Sequence, residues 1–209
     1  MNSLYRKQLL ALAGFGLALF SFIHLLGNFL FLFGEETFNV YTHKLSEQWW
    51  IYIAEFGLCL FFLVHIFLGF YHTYLSLRKK IKTTSVEATL ASKTMPLTGI
   101  FLLIFLILHL NHFKYADMEM VIYNEISYKN LYKVVFLFFQ KEVNLLFYIL
   151  SMMMIGLHLQ HGIFSVTQSF GFLTAQNKNF FKKLSFFYAL LISLGFSFIA
   201  CFSYFQGAL

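Results

Sequence analysis

The stretch VNLLFYILSMMMIGLHLQHGIFSVTQSFG, residues 143 to 171, decides the fold class of this chain. It is largely apolar and exceeds the ~20 residues that a helix needs to cross a bilayer. It nevertheless contains His158 and His161, with Gly162 directly after. An imidazole without a polar partner in hydrocarbon costs free energy, and ionisable residues inside membrane helices are usually functional. The stretch therefore predicts a membrane helix whose rings bind a partner.

Apolar composition extends over the whole chain of 209 residues. Hydrophobic residues make up 59% and charged residues 11%, too few polar side chains for a soluble domain of this size. The segments between the apolar runs are short, so we predict one domain over residues 1–209, an all-α integral membrane bundle of five transmembrane helices, I to V. The runs are approximately Leu9–Phe33, Trp50–Leu77, Pro96–Phe113, Val143–Gly171 and Leu184–Phe205.

Three smaller expectations concern these runs. The first run is longer than the ~7–15 residues of a signal-peptide core, so we expect it to be retained. Cys59 and Cys201 fall inside runs and are expected to be small core residues, with no disulfide framework. Helix V carries no histidine and no charge, so we expect it to serve packing alone.

The orientation follows from the distribution of Lys and Arg, which are enriched on the cytoplasmic side of membrane proteins. A cytoplasmic N-terminus places most basic residues inside, and almost all acids outside except Glu87. The net charge of +6 then needs no nucleic acid to explain it, because a basic inner rim suits anionic lipid or a docked cytoplasmic partner. The inner basic residues are Arg6, Lys7, Arg78, Lys79, Lys80, Lys82, Lys93, Lys178, Lys182 and Lys183.

The connecting segments give local expectations. Residues 36–50, ETFNVYTHKLSEQWW, predict a short interfacial helix with Trp49 and Trp50 as headgroup anchors. Pro96 suits the first turn of helix III. Residues 122–140, IYNEISYKNLYKVVFLFFQ, have helical spacing and predict a helix along the outer membrane face.

A weak internal repeat appears when the histidines are aligned. Gly14 lies ten residues before His24 in helix I, and Gly99 lies ten residues before His109 in helix III. Helices II and IV share a different pattern, a histidine followed four residues later by glycine. These pairs are His65 with Gly69 and His158 with Gly162.

Depth in the membrane sorts the four histidines into two pairs. His24 and His109 lie toward the outer ends of their helices, whereas His65 and His158 lie toward the cytoplasmic half. Neutral imidazole binds iron well, and haem iron takes one axial ligand on each side. We therefore predict two b-type haems (haem b), the outer held by His24 and His109 and the inner by His65 and His158.

The four glycines fit the same arrangement. Ten residues give ~15 Å of rise, which brings Gly14 and Gly99 near the level of the inner pair. Gly69 and Gly162 lie one turn from the inner ligands. A missing side chain lets a flat macrocycle approach the backbone, although glycines at helix contacts are also ordinary packing devices.

Neighbouring histidines leave alternatives open. His161 competes with His158 and His112 with His109, and the repeat favours His158 and His109. His112 could instead serve a quinone or a haem propionate, but interfacial solvation is the simpler role. His72 could meet a propionate or snorkel to the interface.

Several other polar residues also have more than one possible role. Glu55 could take a proton from a quinol near the outer haem, or reach the interface as a packing carboxyl. Asn28, one turn after His24, is similarly ambiguous. His43 is expected to be exposed. Three residues at the inner rim could pair with propionates of the inner haem: Arg6, Ser92 and Lys93. For the two basic ones, Arg6 and Lys93, simple exposure as rim charge is the favoured role.

Four segments in combination resemble a known family, and the resemblance runs nearly end to end. They are FIHLLGNFLFLFG at 22–34, FNVYTHKL at 38–45, ASKTMPLTG at 91–99 and HLQHGIFSVTQSFG at 158–171. They resemble the cytochrome b membrane subunit of succinate:quinone oxidoreductases, in its single-subunit, five-helix, two-haem bacterial class.

The resemblance implies a specific role. Such subunits lie in the bacterial cytoplasmic membrane, anchor a flavoprotein subunit and an iron–sulfur subunit on the cytoplasmic face, and pass electrons through the two haems to a quinone, usually menaquinone. The family's axial ligands fall on His24, His65, His109 and His158. Some fumarate reductases of the class carry a glutamate where this chain has Gly156, which favours succinate dehydrogenase over the reverse reaction.

Two other classes of protein function are considered as alternatives. The chain has neither a Gly-rich phosphate-binding loop nor a cysteine cluster, so dicarboxylate chemistry would need partner subunits. A different diheme cytochrome b, of the ferrireductase or formate dehydrogenase type, would share the histidine pattern. A proton-conducting transporter or channel is the non-enzyme alternative, but the runs lack Gly/Pro breaks at mid-membrane and a series of buried acids.

Overall fold

The computed structural model describes residues 3–78 and 90–207. Within them, five helices are long and apolar enough to cross a membrane, as predicted. Helices I to V correspond to α1, α3, α4, α6 and α7, and α2 and α5 are shorter. Their bounds are α1 Ser3–Phe29, α2 Glu35–Ser46, α3 Trp49–Arg78, α4 Leu90–His109, α5 Leu131–Phe139, α6 Glu142–Ser169 and α7 Lys178–Gln206.

The bundle is built around α1, α6 and α7. α6 packs most extensively against α7, α1 contacts α3, α6 and α7, and α4 lies against α6. Leu25, Met152 and Ile192, one from each central helix, are almost completely buried. Ser193 on α7 donates a hydrogen bond to the Met152 carbonyl at 2.8 Å. The expected packing role of helix V is therefore in line with the contacts that α7 makes.

Two side chains on the bundle depart from expectation. Cys59 is exposed on the surface of α3, where lipid would cover it, rather than in the core. Cys201 is half-buried, and both cysteines are free. Part of the predicted inner rim, Lys79, Lys80, Lys82 and Glu87, lies outside the described residues, as do the side chains of Ser92 and Lys93. The cytoplasmic N-terminus stays a prediction.

The placement of Pro96 in the first turn of helix III was wrong. α4 begins at Leu90, so Pro96 lies in the helix interior. Proline removes one backbone hydrogen bond, which membrane helices tolerate when other groups compensate. At its other end α4 passes directly into a π-helical turn, Leu110–Lys114.

The outer segments form a cap over the bundle. α2 confirms the short helix expected after helix I, but Trp49 begins α3 and does not belong to α2. The helix predicted over residues 122–140 is only half right. Its first part is an antiparallel hairpin, Met120–Tyr123 (β1) with Ile126–Lys129 (β2), and helix α5 begins at Leu131.

Buried amides hold this cap together. Asn39 on α2 is fully buried. Its side chain donates to Asn130 Oδ1 at 3.0 Å and accepts from the backbone N–H of Tyr132 at 2.9 Å. Asn130 in turn accepts from the N–H of Lys133 at 3.0 Å, capping α5, and donates to Glu35 at 2.6 Å. The cap is therefore fixed by a polar network in which each amide has a partner.

Candidate functional site

Two pairs of histidine rings lie between the helices, at two different levels along the helix axes. His24 on α1 and His109 on α4 have ring centroids 5.9 Å apart, with planes inclined by 88°. His65 on α3 and His158 on α6 have centroids 6.1 Å apart, inclined by 68°. The structure thus brings together the histidines that the sequence placed at equal depth. Ligation of a metal by them stays a prediction.

The separation within each pair suits one metal ion. Imidazole nitrogens bind divalent metals at ~2 Å, so rings on opposite sides of one ion have centres ~6 Å apart. The four rings are on four different helices and are half-buried in the bundle, and a polar atom that is buried there normally needs a partner. Nδ1 of His65 and Nδ1 of His109 are buried and have no hydrogen-bond partner within the described residues. His65 also has a hydrogen bond to the backbone of Leu10, so His109 is the ring for which a bound metal or cofactor would most clearly supply a missing partner.

Glycines on the outer-ligand helices face the inner rings. A Cβ built on Gly14 would lie 3.2 Å from Cε1 and 3.3 Å from Nδ1 of His65. A Cβ on Gly99 would lie 3.6 Å from Cε1 of His158. The ten-residue spacing therefore places both glycines beside the inner pair, so α1 and α4 each contribute to both levels.

The glycines after the inner ligands are in a different situation. A Cβ on Gly69 or Gly162 would meet no heavy atom within 4 Å in the described chain. Packing between the helices does not explain glycine at these two positions, as it does at Gly195, where a Cβ would lie 2.7 Å from Leu25. The residues present therefore fit a flat group that approaches the backbone near the inner pair.

Each pair has its own polar surroundings. At the inner level, the hydroxyl of Thr98 lies 3.1 Å from Nδ1 of His158. At the outer level, the amide nitrogen of Asn28 donates to the His24 carbonyl at 2.8 Å and lies 3.4 and 3.5 Å from the two ring nitrogens. Because these two distances are nearly equal, Asn28 favours neither nitrogen of the His24 ring.

An aromatic cluster adjoins the outer pair. Nδ1 of His112 lies 3.1 Å from the hydroxyl of Tyr148, which is buried and whose ring centroid is 6.2 Å from that of His109. Phe138 of α5 covers the His112 ring with centroids 4.6 Å apart. Sequence reasoning missed Tyr148, although it lies ten residues before His158 on α6. The spacing used for Gly14 and Gly99 would have placed it at the level of the outer pair.

The remaining candidates lie apart from the two pairs. Glu55 forms an ion pair with Lys114 at 2.6 Å, with both side chains about half exposed. Arg6 lies over the Tyr71 ring, 5.3 Å from its centroid. His72 and His161 are half-buried and, in the described chain, form no ring pair with another histidine.

His43 was expected to be exposed, but its ring packs against that of Tyr128, with centroids 4.9 Å apart. Its Nε2 lies 3.2 Å from Glu47, and the side chain is 25% exposed. Hairpin strand β2 covers it, and that strand was not predicted. The chain matches no protein-family model, no curated protein and no solved structure.

Proposed function

We propose that this chain is a membrane cytochrome b that holds two b-type haems between helices α1, α3, α4 and α6. The observation that carries the proposal is the formation of two separate histidine pairs, each joining two helices at ring separations near 6 Å. His24 and His109 would bind the outer iron, and His65 and His158 the inner iron. Gly14, Gly99, Gly69 and Gly162 would give the macrocycles access to the backbone.

Haem supplies reversible one-electron chemistry, and the protein's contribution is to hold the groups and exclude water. Aromatic side chains pack against the rings of the outer pair, Phe105 against His109 and Phe196 against His24. Two levels of ligands along the same helices provide a path for electrons from one membrane face toward the other.

We further propose that the chain is the membrane-anchor subunit of a succinate:quinone oxidoreductase in a bacterial cytoplasmic membrane. The resemblance of four segments and the basic inner rim support it, since a flavoprotein subunit and an iron–sulfur subunit would dock there. The electrons would pass from the iron–sulfur subunit to menaquinone. Gly156 lies against Ser193 of α7, and a Cβ built on Gly156 would lie 3.3 Å from the serine Cβ. The absence of a glutamate at position 156 favours succinate oxidation over the glutamate-dependent fumarate reductase variant.

The outer end of the path suits a quinone. His112 and Tyr148 form a hydrogen-bonded pair next to the outer ligand His109. Both groups can exchange hydrogen bonds with a quinone or quinol oxygen, and the surrounding phenylalanines provide an apolar environment. Glu55, which is paired with Lys114, is less suited to take a proton from a quinol.

The test is direct. The chain is expressed in a bacterial membrane, and haem is quantified by a pyridine haemochrome assay and a dithionite-reduced minus oxidised spectrum. We expect two b-type haems per chain and the loss of one in H24A, H65A, H109A and H158A. H43A serves as the control, because His43 lies in the cap. A protein without haem overturns the proposal, and proton conductance that depends on the same histidines would then indicate a transporter.

Docking is tested separately. Co-expression with candidate flavoprotein and iron–sulfur subunits should yield a membrane complex in which succinate reduces both haems. Haem-loaded membranes that reduce ferric chelates but do not associate with a succinate-oxidising complex would indicate another diheme cytochrome b.

A further inference from the structure

Thr98 is a buried hydroxyl beside the inner histidine pair. It lies on α4, is 4% exposed, and its Oγ1 is 3.1 Å from Nδ1 of His158 on α6. It is eleven residues, about three turns, before the outer ligand His109 and directly precedes Gly99, which faces the same ring. Thr98 therefore contacts His158 from the helix that supplies the ligand of the other pair.

The other hydrogen-bond partners of Thr98 favour one direction for this contact. Oγ1 also lies 3.2 Å from the Thr94 carbonyl and 3.1 Å from the Met95 carbonyl. A carbonyl oxygen only accepts, and a hydroxyl has one hydrogen to donate. Back-bonding of this hydrogen to the preceding turn is usual for threonine in helices. The lone pairs of Oγ1 are then free to accept a hydrogen bond from the ring.

We propose that Thr98 is a positioning residue that holds His158 in the tautomer with its hydrogen on Nδ1. A neutral imidazole has one donor nitrogen and one acceptor nitrogen, so Nε2 is left unprotonated and able to bind iron. Metal-bound histidines generally donate their other N–H to such a partner, which fixes the ring and makes it a stronger ligand. This inference rests on the proposed haem function and concerns the inner haem alone.

The other paired rings differ in this respect. Within the described residues, Nδ1 of His109 has no hydrogen-bond partner, His65 bonds only to the backbone of Leu10, and Asn28 is nearly equidistant from both nitrogens of His24. The two haems would therefore be chemically unequal. A hydrogen-bonded imidazole donates more electron density and stabilises ferric iron, so Thr98 would lower the reduction potential of the inner haem.

The experiment compares three variants of the full chain in membranes: T98V, T98S and T167V. Valine keeps the β-branched shape of threonine but has no hydroxyl, and serine keeps the hydroxyl. Thr167 is the matched control, because it is a buried helical threonine on α6 whose hydroxyl bonds only to the Phe164 carbonyl, at 2.8 Å, in the described chain. Haem content, midpoint potentials and the low-spin ferric electron paramagnetic resonance spectrum are measured for each haem.

We expect T98V to shift the potential of the inner haem upward and to change its resonance signal, with the outer haem as an internal reference. A tenfold loss of preference for the ferric state corresponds to a shift of about 59 mV for a one-electron couple. T98S and T167V should match the wild type. Loss of the inner haem in T98V, restored in T98S, also supports the proposal.

Several outcomes overturn it. An inner haem in T98V with unchanged potential and signal shows that the hydroxyl does not act on His158, while the diheme function stands. The same holds if T98S fails as T98V does, because the effect then follows packing rather than the hydroxyl. A wild-type chain without haem overturns the proposed function itself.

Discussion

Gly14 of α1 faces the imidazole of His65 on α3, closely enough that a Cβ at residue 14 would lie 3.2 Å from Cε1 of the ring. α1 therefore provides a ring, His24, for the outer pair and a position without a side chain for the inner pair. α4 does the same with His109 and Gly99. The two levels of the site share their supporting helices, and a change at one glycine should be felt at only one level.

The substitution G14A tests this relationship. The added Cβ is tighter against His65 than ordinary van der Waals contact, and overpacking of this kind typically costs about 1–3 kcal/mol. We expect the inner haem to be lost or its potential to shift, while the outer haem is unchanged in the reduced-minus-oxidised spectrum.

G57A is the matched control, because Gly57 lies in α3, the helix that carries His65, and a Cβ there would meet nothing within 4 Å in the described chain. Equal effects of the two substitutions on both haems would mean that the proximity of Gly14 and His65 has no part in cofactor binding.

Substitution of adjacent histidines discriminates ligands from their neighbours. H109A should remove one haem, whereas H112A should keep both, because the His112 ring points to Tyr148 and not to His24. H158A and H161A should behave in the same way at the inner level. Pyridine haemochrome quantification checks each variant. Retention of two haems in H109A together with loss of one in H112A would reverse the assignment.

The pair formed by His112 and Tyr148 makes a prediction for quinone chemistry. Y148F removes the hydroxyl that contacts Nδ1 of His112 but keeps the ring that packs against His109. We expect two haems, an unchanged spectrum and a slower reduction of the haems by a menaquinol analogue in stopped-flow measurements. E55Q should react at the wild-type rate, since Glu55 is about half exposed and is paired with Lys114, not with His112 or Tyr148. A slow E55Q with a normal Y148F would place the quinone elsewhere.

The sequence was sufficient for the membrane helices and for the pairing of the histidines. Both follow from regular helix geometry, since hydropathy marks the span and a constant rise per residue sets the depth of each ring. His24 and His109 therefore lie together as expected. The start of α4 was not predictable in this way, because a proline suits the first turn of a helix, whereas α4 begins at Leu90, six residues before Pro96.

The hairpin was missed for a local reason. Its two-residue turn has positive φ at Asn124 and Glu125, 49° and 68°. Such turns typically have the sequence asparagine followed by glycine. This chain has glutamate at the second position, so the sequence did not indicate a hairpin. Thr98 could not be found from the sequence at all, because its role depends on a contact between α4 and α6.

The last prediction concerns the stability of the outer cap. Asn39 is fully buried, so N39A leaves the Tyr132 N–H without its side-chain acceptor and removes one of the two donors to Asn130 Oδ1. Unsatisfied buried polar groups cost about 1–3 kcal/mol, and we expect a lower midpoint of thermal unfolding in detergent with both haems still bound below the transition. Q48A is the control, because exposed Gln48 donates only to the Lys44 carbonyl in the described chain, and it should unfold like the wild type. Equal midpoints for N39A and Q48A would show that the amide network does not stabilise the cap.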